Sequence, residues 1–185
     1  MLHLSLQKAI EGMLGTMKKS TLLWLIPIFF TLHNLEEALT VPRYGNALLA
    51  KLPVSIQKIE PVGNAVQYLI ALVLVTVPPY LFALAYRYAH KKRLPFYLLL
   101  GLQMVVFINV FSHVGMAVLL RGYAPGLITA LLVNLPFSIY LFRRALREGW
   151  LTRKNLAVLF PVGLLLHGPG LWALLWLAGW LAGGL

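Results

Sequence analysis

The chain has no cysteine and very few acids. Without cysteine it forms no disulfide and has no thiolate nucleophile or cysteine-ligated metal. Only five of the 185 residues are Asp or Glu, and charged residues make up 11% of the chain, against about a quarter in soluble domains. Hydrophobic residues make up 60%, with a mean hydropathy of +0.81. This composition excludes an ordinary soluble domain and predicts a polytopic membrane protein with an all-α fold.

The net charge of +11 is the one feature that could suggest nucleic acid. The Lys and Arg residues cluster between the apolar runs, however, as membrane topology signals do. We therefore expect no nucleic-acid partner.

Five apolar runs each approach or exceed the ~20 residues that a helix needs to cross a bilayer. They are continuously apolar rather than alternating, which favours helices over a β-barrel. The sequence predicts a single membrane-embedded domain over residues 1–185, a helix bundle. Its five transmembrane spans are expected at about 21–39, 62–86, 95–120, 125–142 and 156–181.

Two segments outside these spans have patterns of their own. Residues 1–19 carry apolar side chains at helical spacing with polar ones between them, which predicts an amphipathic helix lying on the membrane surface. Residues 40–61 are expected to form a loop. The helix breakers in that loop are Pro42, Gly45, Pro53 and Pro61.

The distribution of Lys and Arg predicts the orientation of the bundle. With the N-terminus in the cytoplasm, only four of the sixteen cationic residues fall in outer segments. Those four are Arg43, Lys51, Lys58 and Arg121. We therefore expect a cytoplasmic N-terminus and an external C-terminus. In that orientation, polar residues from all five spans lie between the bilayer midplane and the outer surface.

Two of the five acids, Glu36 and Glu37, lie side by side in the first span. An acid near the bilayer centre costs roughly 2.5–3.5 kcal/mol. The alternative without a function is that both side chains extend to the membrane interface. Glutamate is short for this, however, and the dipole at a helix C-terminus opposes negative charge. Because His33 precedes them by three and four residues, one imidazole and two carboxylates share a helix face.

Asn109 and His113 form a second pair at helical spacing, in the third span and at matching depth. Many metal sites in helical bundles are built from His and Glu on neighbouring helices. Without cysteine the available ligands are nitrogen and oxygen, which suits Zn, Fe or Mn. The alternative for His113 is a packing histidine that bonds a backbone carbonyl one turn back.

Three further positions are candidates for the same site. His167 lies where Pro169 and two glycines are expected to break or kink the fifth helix, and broken helices at membrane depth face protein or a wet cavity. His167 is therefore a further candidate ligand. Asn134, midway along the fourth span, and the turn residues Arg121 and Tyr123 are candidate substrate contacts. A plain tight turn explains the last two equally well.

The ordered set of motifs resembles the family named for its HXXEE motif. The motifs are His33-x-x-Glu36-Glu37, Asn109-x-x-x-His113, Tyr123-x-Pro125-Gly126 and a histidine in the last helix. Members are small bacterial integral membrane proteins of uncharacterised function, suspected to be metal-dependent enzymes. The resemblance implies a bacterial inner-membrane location. It also implies a metal site at His33, Glu36, Glu37 and His113, with His167 as a further ligand.

We expect a metal-dependent enzyme that acts on a lipid or another membrane-partitioned substrate. Hydrolysis is the favoured reaction. His33, one glutamate and His113 would hold the metal. The other glutamate would act as general base, and Asn109 would orient a ligand or polarise a substrate carbonyl.

Other functions stay open. The glutamate pair and the histidines could shuttle a proton without metal, in an isomerase or a lipophilic-ligand-binding protein. The same ligand types could hold iron for lipid oxidation, although two-metal oxidases usually need more carboxylates. Transport is the least favoured, because five helices without a repeat are unusual for a transporter. The oligomeric state is not indicated.

Overall fold

The computed structural model describes residues 17–51, 65–89 and 92–183, and in those ranges every regular element is a helix. Five of the helices are long and apolar enough to cross a membrane. The helices are α1 (Lys19–Leu49), α2 (Ala65–Tyr88), α3 (Arg93–Leu120), α4 (Leu127–Arg147) and α5 (Arg153–Leu181). The all-α membrane bundle predicted from composition is confirmed. The surface helix expected over residues 1–19 lies almost wholly outside the described residues.

Successive helices run in opposite directions. At one end of the bundle, the Lys19 ammonium at the start of α1 lies 3.9 Å from the ring centroid of Phe96 in α3 and 4.7 Å from that of Trp150 in the α4–α5 turn. We call this the base end. At the other end, the ring of Tyr44 in α1 meets Tyr123 of the α3–α4 turn edge-on, with centroids 5.0 Å apart. We call this the site end.

The larger apolar core lies in the base half of the bundle, and a smaller cluster joins α2 to α5 near the site end. The largest fully buried side chains of the larger core come from α1, α3 and α4, and include Leu22, Leu23, Ile26, Leu99, Leu100 and Leu141. Because lipid is as apolar as these side chains, the core contributes close packing rather than a hydrophobic driving force between helices. The buried polar side chains His33, Asn34 and His113 lie further toward the site end.

Small residues let α5 approach α3 closely. A Cβ placed on Gly163 would lie 2.8 Å from Ile108 Cδ1 and 2.8 Å from Met104 Cγ. A Cβ on Gly101, in α3 at the same helix pair, would meet Leu159 Cδ2 at an ordinary 3.9 Å. The two glycines therefore have different roles, and only Gly163 sets the distance between the helices.

Helix α1 continues beyond its expected end. Residues 40–49, which the sequence analysis assigned to a loop, are helical, so that expectation is wrong for this stretch. Pro42 removes a single backbone hydrogen bond, and the Thr40 hydroxyl donates to the Glu36 carbonyl at 2.6 Å one turn earlier. The packing of Tyr44 on Tyr123 holds the extra turns against the rest of the bundle.

Two helices contain a wide π turn. In α4 it covers Ala130–Asn134 and in α5 it covers Leu166–Gly170. A proline lies within or shortly after each one (Pro136 and Pro169), and proline has no N–H to donate to the preceding turn. The break or kink expected near Pro169 takes the form of this π turn in a continuous helix.

The difference between Gly163 and Gly101 gives a stability prediction. Gly163→Ala should lower the melting temperature in detergent, because overpacking costs about 1–3 kcal/mol while the gain in helix propensity is at most about 1 kcal/mol. Gly101→Ala, the matched control, should leave the melting temperature unchanged or raise it. Equal melting temperatures for the two variants would mean that α5 does not pack on α3 in this way.

Candidate metal centre

Three side chains from two helices converge at one point inside the bundle. His33 and Glu37 lie one turn apart on α1, and His113 faces them from α3. The Nε2 atoms of the two histidines are 3.1 Å apart, and Glu37 Oε1 lies 3.4 Å from His113 Nε2 and 3.9 Å from His33 Nε2. The side chains of both histidines are 1% exposed and that of Glu37 is 14% exposed. These three residues can offer one ligand atom each to a single metal ion.

The side chain of Asn109 completes the cluster. Its amide Nδ2 lies 2.9 Å from His33 Nε2 and 2.8 Å from His113 Nε2, so it touches both histidines from one side. Rotating the amide by half a turn exchanges its nitrogen and oxygen. The same position can therefore offer either two N–H donors to the imidazoles or one carbonyl oxygen to a cation.

The proton on His33 is fixed by its neighbours. Its Nδ1 lies 2.9 Å from the Thr129 hydroxyl oxygen, and that hydroxyl donates its own hydrogen to Glu36 Oε2 at 2.5 Å. The hydroxyl can therefore only accept from His33, which makes Nδ1 the protonated nitrogen. The Nε2 lone pair of His33 then faces the cluster, as a metal-binding imidazole requires.

Glu36 lies outside the cluster and caps the N-terminus of α4. Its two carboxylate oxygens accept from the Tyr123 hydroxyl at 2.6 Å, the Ile128 N–H at 3.1 Å, and the Thr129 N–H at 2.7 Å and hydroxyl at 2.5 Å. These N–H groups have no partner within their own helix, and the helix dipole favours a negative charge there. Burial and the bond to Glu36 raise the pKa of Tyr123, so its phenol stays a donor.

Gly126 packs directly against the cluster. Its φ is +78°, a left-handed value, and a Cβ on it would lie 2.7 Å from His113 Cε1, 2.9 Å from His33 Cε1 and 3.0 Å from Glu37 Cγ. Neither the backbone angle nor the space admits a larger residue. The backbone of the α3–α4 turn thus covers one side of the cluster.

Two contacts of the cluster were not anticipated. The Tyr68 hydroxyl of α2 lies near the Glu37 carboxylate, and Thr129 joins Glu36 to His33. A tyrosine in an apolar span and a threonine near a helix start carry no distinguishing signal in the sequence. Gln67, the polar residue next to Tyr68 in the sequence, instead donates its side-chain N–H to the Leu175 carbonyl in α5 at 2.8 Å.

The other candidate residues lie apart from the three ligands. His167 Nε2 bonds the Ser112 hydroxyl at 2.8 Å, on the residue next to His113. Asn134 is 1% exposed in the π turn of α4, and its amide has no hydrogen-bond partner in the described part of the chain. Arg121 is exposed, and Tyr123 reaches the site through Glu36. Site roles for Arg121, Asn134 and His167, and a ligand role for Glu36, stay predictions.

Fold and site together define a five-helix membrane-type bundle with an interior histidine–carboxylate cluster. The chain belongs to the family described as "Protein of unknown function with HXXEE motif", whose model matches residues 24–141. It is also 26% identical over 138 residues to an uncharacterized protein of Bacillus subtilis (strain 168), YrkK, a match that covers 74% of this chain and 82% of that protein. No solved structure matches the chain.

Gly126 provides a direct test of the cluster. Gly126→Ala should lower the free energy of unfolding by about 2 kcal/mol or more, because an L-residue in the left-handed region is strained and the added methyl overlaps three side chains. Thermal unfolding in detergent measures it. Gly122→Ala in the same turn is the control, since a Cβ there meets nothing within 4 Å. A Gly126→Ala variant as stable as the control would contradict the close packing.

Proposed function

We propose that the protein is a membrane-embedded metal-dependent enzyme whose metal ligands are His33, Glu37 and His113. The observation that carries the proposal is the triangle of their ligand atoms, with sides of 3.1, 3.4 and 3.9 Å. Ligands bound at ~2.0–2.1 Å with tetrahedral angles lie about 3.3–3.4 Å apart, so the triangle has the size of a metal site. Two inward-facing imidazole nitrogens and a carboxylate oxygen at this spacing favour a shared cation.

The ligand set suits a borderline divalent metal. Two imidazoles and one carboxylate are a common catalytic set for zinc, and iron and manganese accept the same donors. When bound, such a metal would act as a Lewis acid that polarises a carbonyl or phosphoryl oxygen of the substrate. Asn109 lies beside both histidines, where its amide can bind that oxygen or the metal itself.

The surrounding residues have separate roles in this proposal. Thr129 and Glu36 hold the His33 ring with its Nε2 toward the site. Since four donors already occupy both oxygens of Glu36, we assign it to positioning rather than to proton transfer. The Tyr68 hydroxyl lies near the Glu37 carboxylate, and we assign it the donation of a proton to the leaving group.

The position of the cluster inside the bundle supports a membrane-partitioned substrate. His33, Glu37 and His113 all lie within helices of membrane-spanning length, so the reacting group must reach them from within or just above the bilayer. We propose a lipid as substrate and hydrolysis as reaction. The proposal keeps the orientation inferred from the Lys and Arg distribution, with the N-terminus in the cytoplasm of a bacterial inner membrane.

A metal-free site is the second candidate, and one observation favours it. As oriented here, the Asn109 amide gives an N–H to each histidine Nε2, which satisfies both lone pairs without a cation. The cluster would then hold a proton rather than a metal, as an isomerase or a lipophilic-ligand-binding protein requires. An iron-dependent oxidase is a third option with the same three ligands. Metal analysis separates the second candidate from the other two.

The first test is metal content, measured by mass spectrometry on detergent-purified protein with a tag that contains no histidine. We expect about one Zn, Fe or Mn ion per chain, lost in Glu37→Gln and in His113→Ala. Glu148→Gln makes the same chemical change at a carboxylate in the α4–α5 turn and should keep the metal. Wild-type protein without metal, even after reconstitution, would overturn the proposal and leave the proton-shuttling site.

The second test concerns the support of His33. Thr129→Val keeps the shape of the side chain but removes the hydroxyl that bonds His33 Nδ1, and loss of such a partner weakens metal binding by about 10–100-fold. Thr129→Ser keeps the hydroxyl and should bind metal as the wild type does. Competition with a chelator of known affinity measures both. Equal weakening in the two variants would point to packing rather than to the hydrogen bond.

A further inference from the structure

Three cations surround the site end of the bundle above the cluster. Arg43, Lys51 and Arg121 are all exposed. The Lys51 ammonium donates to the carbonyls of Leu119 and Leu120 at 3.3 and 3.4 Å, which places it beside Arg121. Since Tyr44 packs on Tyr123, its neighbour Arg43 lies by the same turn. We call these three residues the cationic rim.

The cationic rim has no negative partner among the residues that the structure describes. The ion pairs there are those of Glu37 with the two histidines and of Arg144 with Glu148, and the remaining carboxylate, Glu36, is held by the turn and the start of α4. Arg43 lies over the ring of Tyr44. The rim therefore presents three positive charges near a site whose own carboxylates are already engaged.

Arg121 occupies a backbone position that disfavours arginine. Its φ and ψ are +54° and +41°, the left-handed cap that ends α3. Among the described residues it is the one non-glycine with positive φ, and glycine or asparagine is usual at such a cap. Its exposed guanidinium makes no hydrogen bond or ion pair within the described chain. Backbone strain of this kind is typical of functional positions, and here the side chain is free to bind something else.

Apolar side chains lie one helical turn before the rim. Leu39 precedes Arg43 on α1 by four residues and Val118 precedes Arg121 on α3 by three, and both are 72% exposed. Leu39 and Arg43 share a face of α1, because residues four apart lie on one side of a helix, and Val118 lies in the last turn of α3, just before the Arg121 cap. A positive group with an apolar surface beneath it complements a molecule that carries an anionic head and a hydrocarbon tail.

We propose that the cationic rim binds the anionic headgroup of a lipid substrate, a phosphate or a carboxylate, and thereby brings its ester region to the cluster. This rests on the proposed function and names its substrate class. Arginine forks bind phosphate and carboxylate oxygens in pairs. The α3–α4 turn that carries Arg121 lies close to the cluster, because the Tyr123 hydroxyl bonds Glu36, and Thr129 joins Glu36 to His33.

Arg121→Gly separates lipid binding from a structural role. Glycine relieves the left-handed strain, so this variant should be as stable as the wild type or more so, yet it removes the guanidinium. We expect it to retain phosphatidylglycerol about tenfold less than the wild type, as loss of a charged hydrogen bond predicts. Arg121→Asn, which tolerates the same backbone, should behave alike, and Arg153→Gln at the base end should retain the lipid fully.

The readout is native mass spectrometry of protein released from nanodiscs of phosphatidylglycerol or phosphatidylcholine. Preferential retention of phosphatidylglycerol that falls in both Arg121 variants supports the proposal. Equal retention of the two lipids, or no effect of either variant, overturns it. Soluble glycerol phosphate binding as tightly as the lipid also overturns it, because the rim would then recognise a free phosphate.

Metal content in the same samples keeps this inference distinct from the proposed function. We expect Arg121→Gly to keep its metal, since Arg121 is not a ligand. If the wild-type protein contains metal but shows no lipid preference, the proposed substrate class is overturned and the proposed metal-dependent enzyme stands. Lipid preference that depends on Arg121 in a protein without metal would overturn the metal-dependent enzyme and leave a metal-free site that takes an anionic lipid.

Discussion

The structure depends on how two adjacent carboxylates are satisfied away from water. Neighbouring residues on a helix point about 100° apart, so Glu36 and Glu37 cannot serve the same partners. Glu36 accepts from the N–H groups at the start of α4 that have no partner within the helix, whereas Glu37 lies 3.4 Å from His113 Nε2 and near Tyr68. One carboxylate therefore docks a helix and the other enters the cluster. Removing Glu36 would leave part-buried donors at the start of α4 without their acceptor, which is costly where water is scarce.

The packing of α4 on α1 also sets the arrangement of the histidine side chains. The hydroxyl of Thr129 donates to Glu36 and accepts from His33, so the helix start that Glu36 caps also sets the proton on His33. The preceding turn brings the Gly126 backbone against the three side chains of the cluster. Helix capping, ring orientation and closure of the site thus follow from one contact between α1 and α4. The larger apolar core lies in the base half, so in the other half this contact orders α1 and α4, while α2 and α5 pack on each other through a smaller apolar cluster.

Features that depend on local periodicity were predictable, and those that depend on which helices meet were not. The five helices follow from run length, and the shared face of His33 and Glu37 follows from their spacing. The facing pair Asn109 and His113 follows in the same way. The sequence could not separate Glu36 from Glu37, because both lie one turn after His33 and only the position of α4 distinguishes them. Tyr68 and Thr129 belong to tertiary contacts without a local signal, and the helical continuation past Pro42 reflects packing on the α3–α4 turn.

The arrangement around Glu37 constrains any function. A carboxylate next to two imidazoles in low dielectric is stabilised by a positive species nearby or else takes up a proton itself, and the cluster holds no Lys or Arg among its described contacts. The charge can therefore be balanced by a metal held by both Nε2 atoms, by a proton on one of them, or by a proton on Glu37. The Thr129–Glu36 support of His33 fixes the proton on Nδ1 and turns the Nε2 lone pair toward His113 and Asn109. A metal ligand and a general base both need an imidazole held in this one tautomer. The support of His33 therefore prepares Nε2 to accept a cation or a proton, and the species that occupies the cluster decides which chemistry follows.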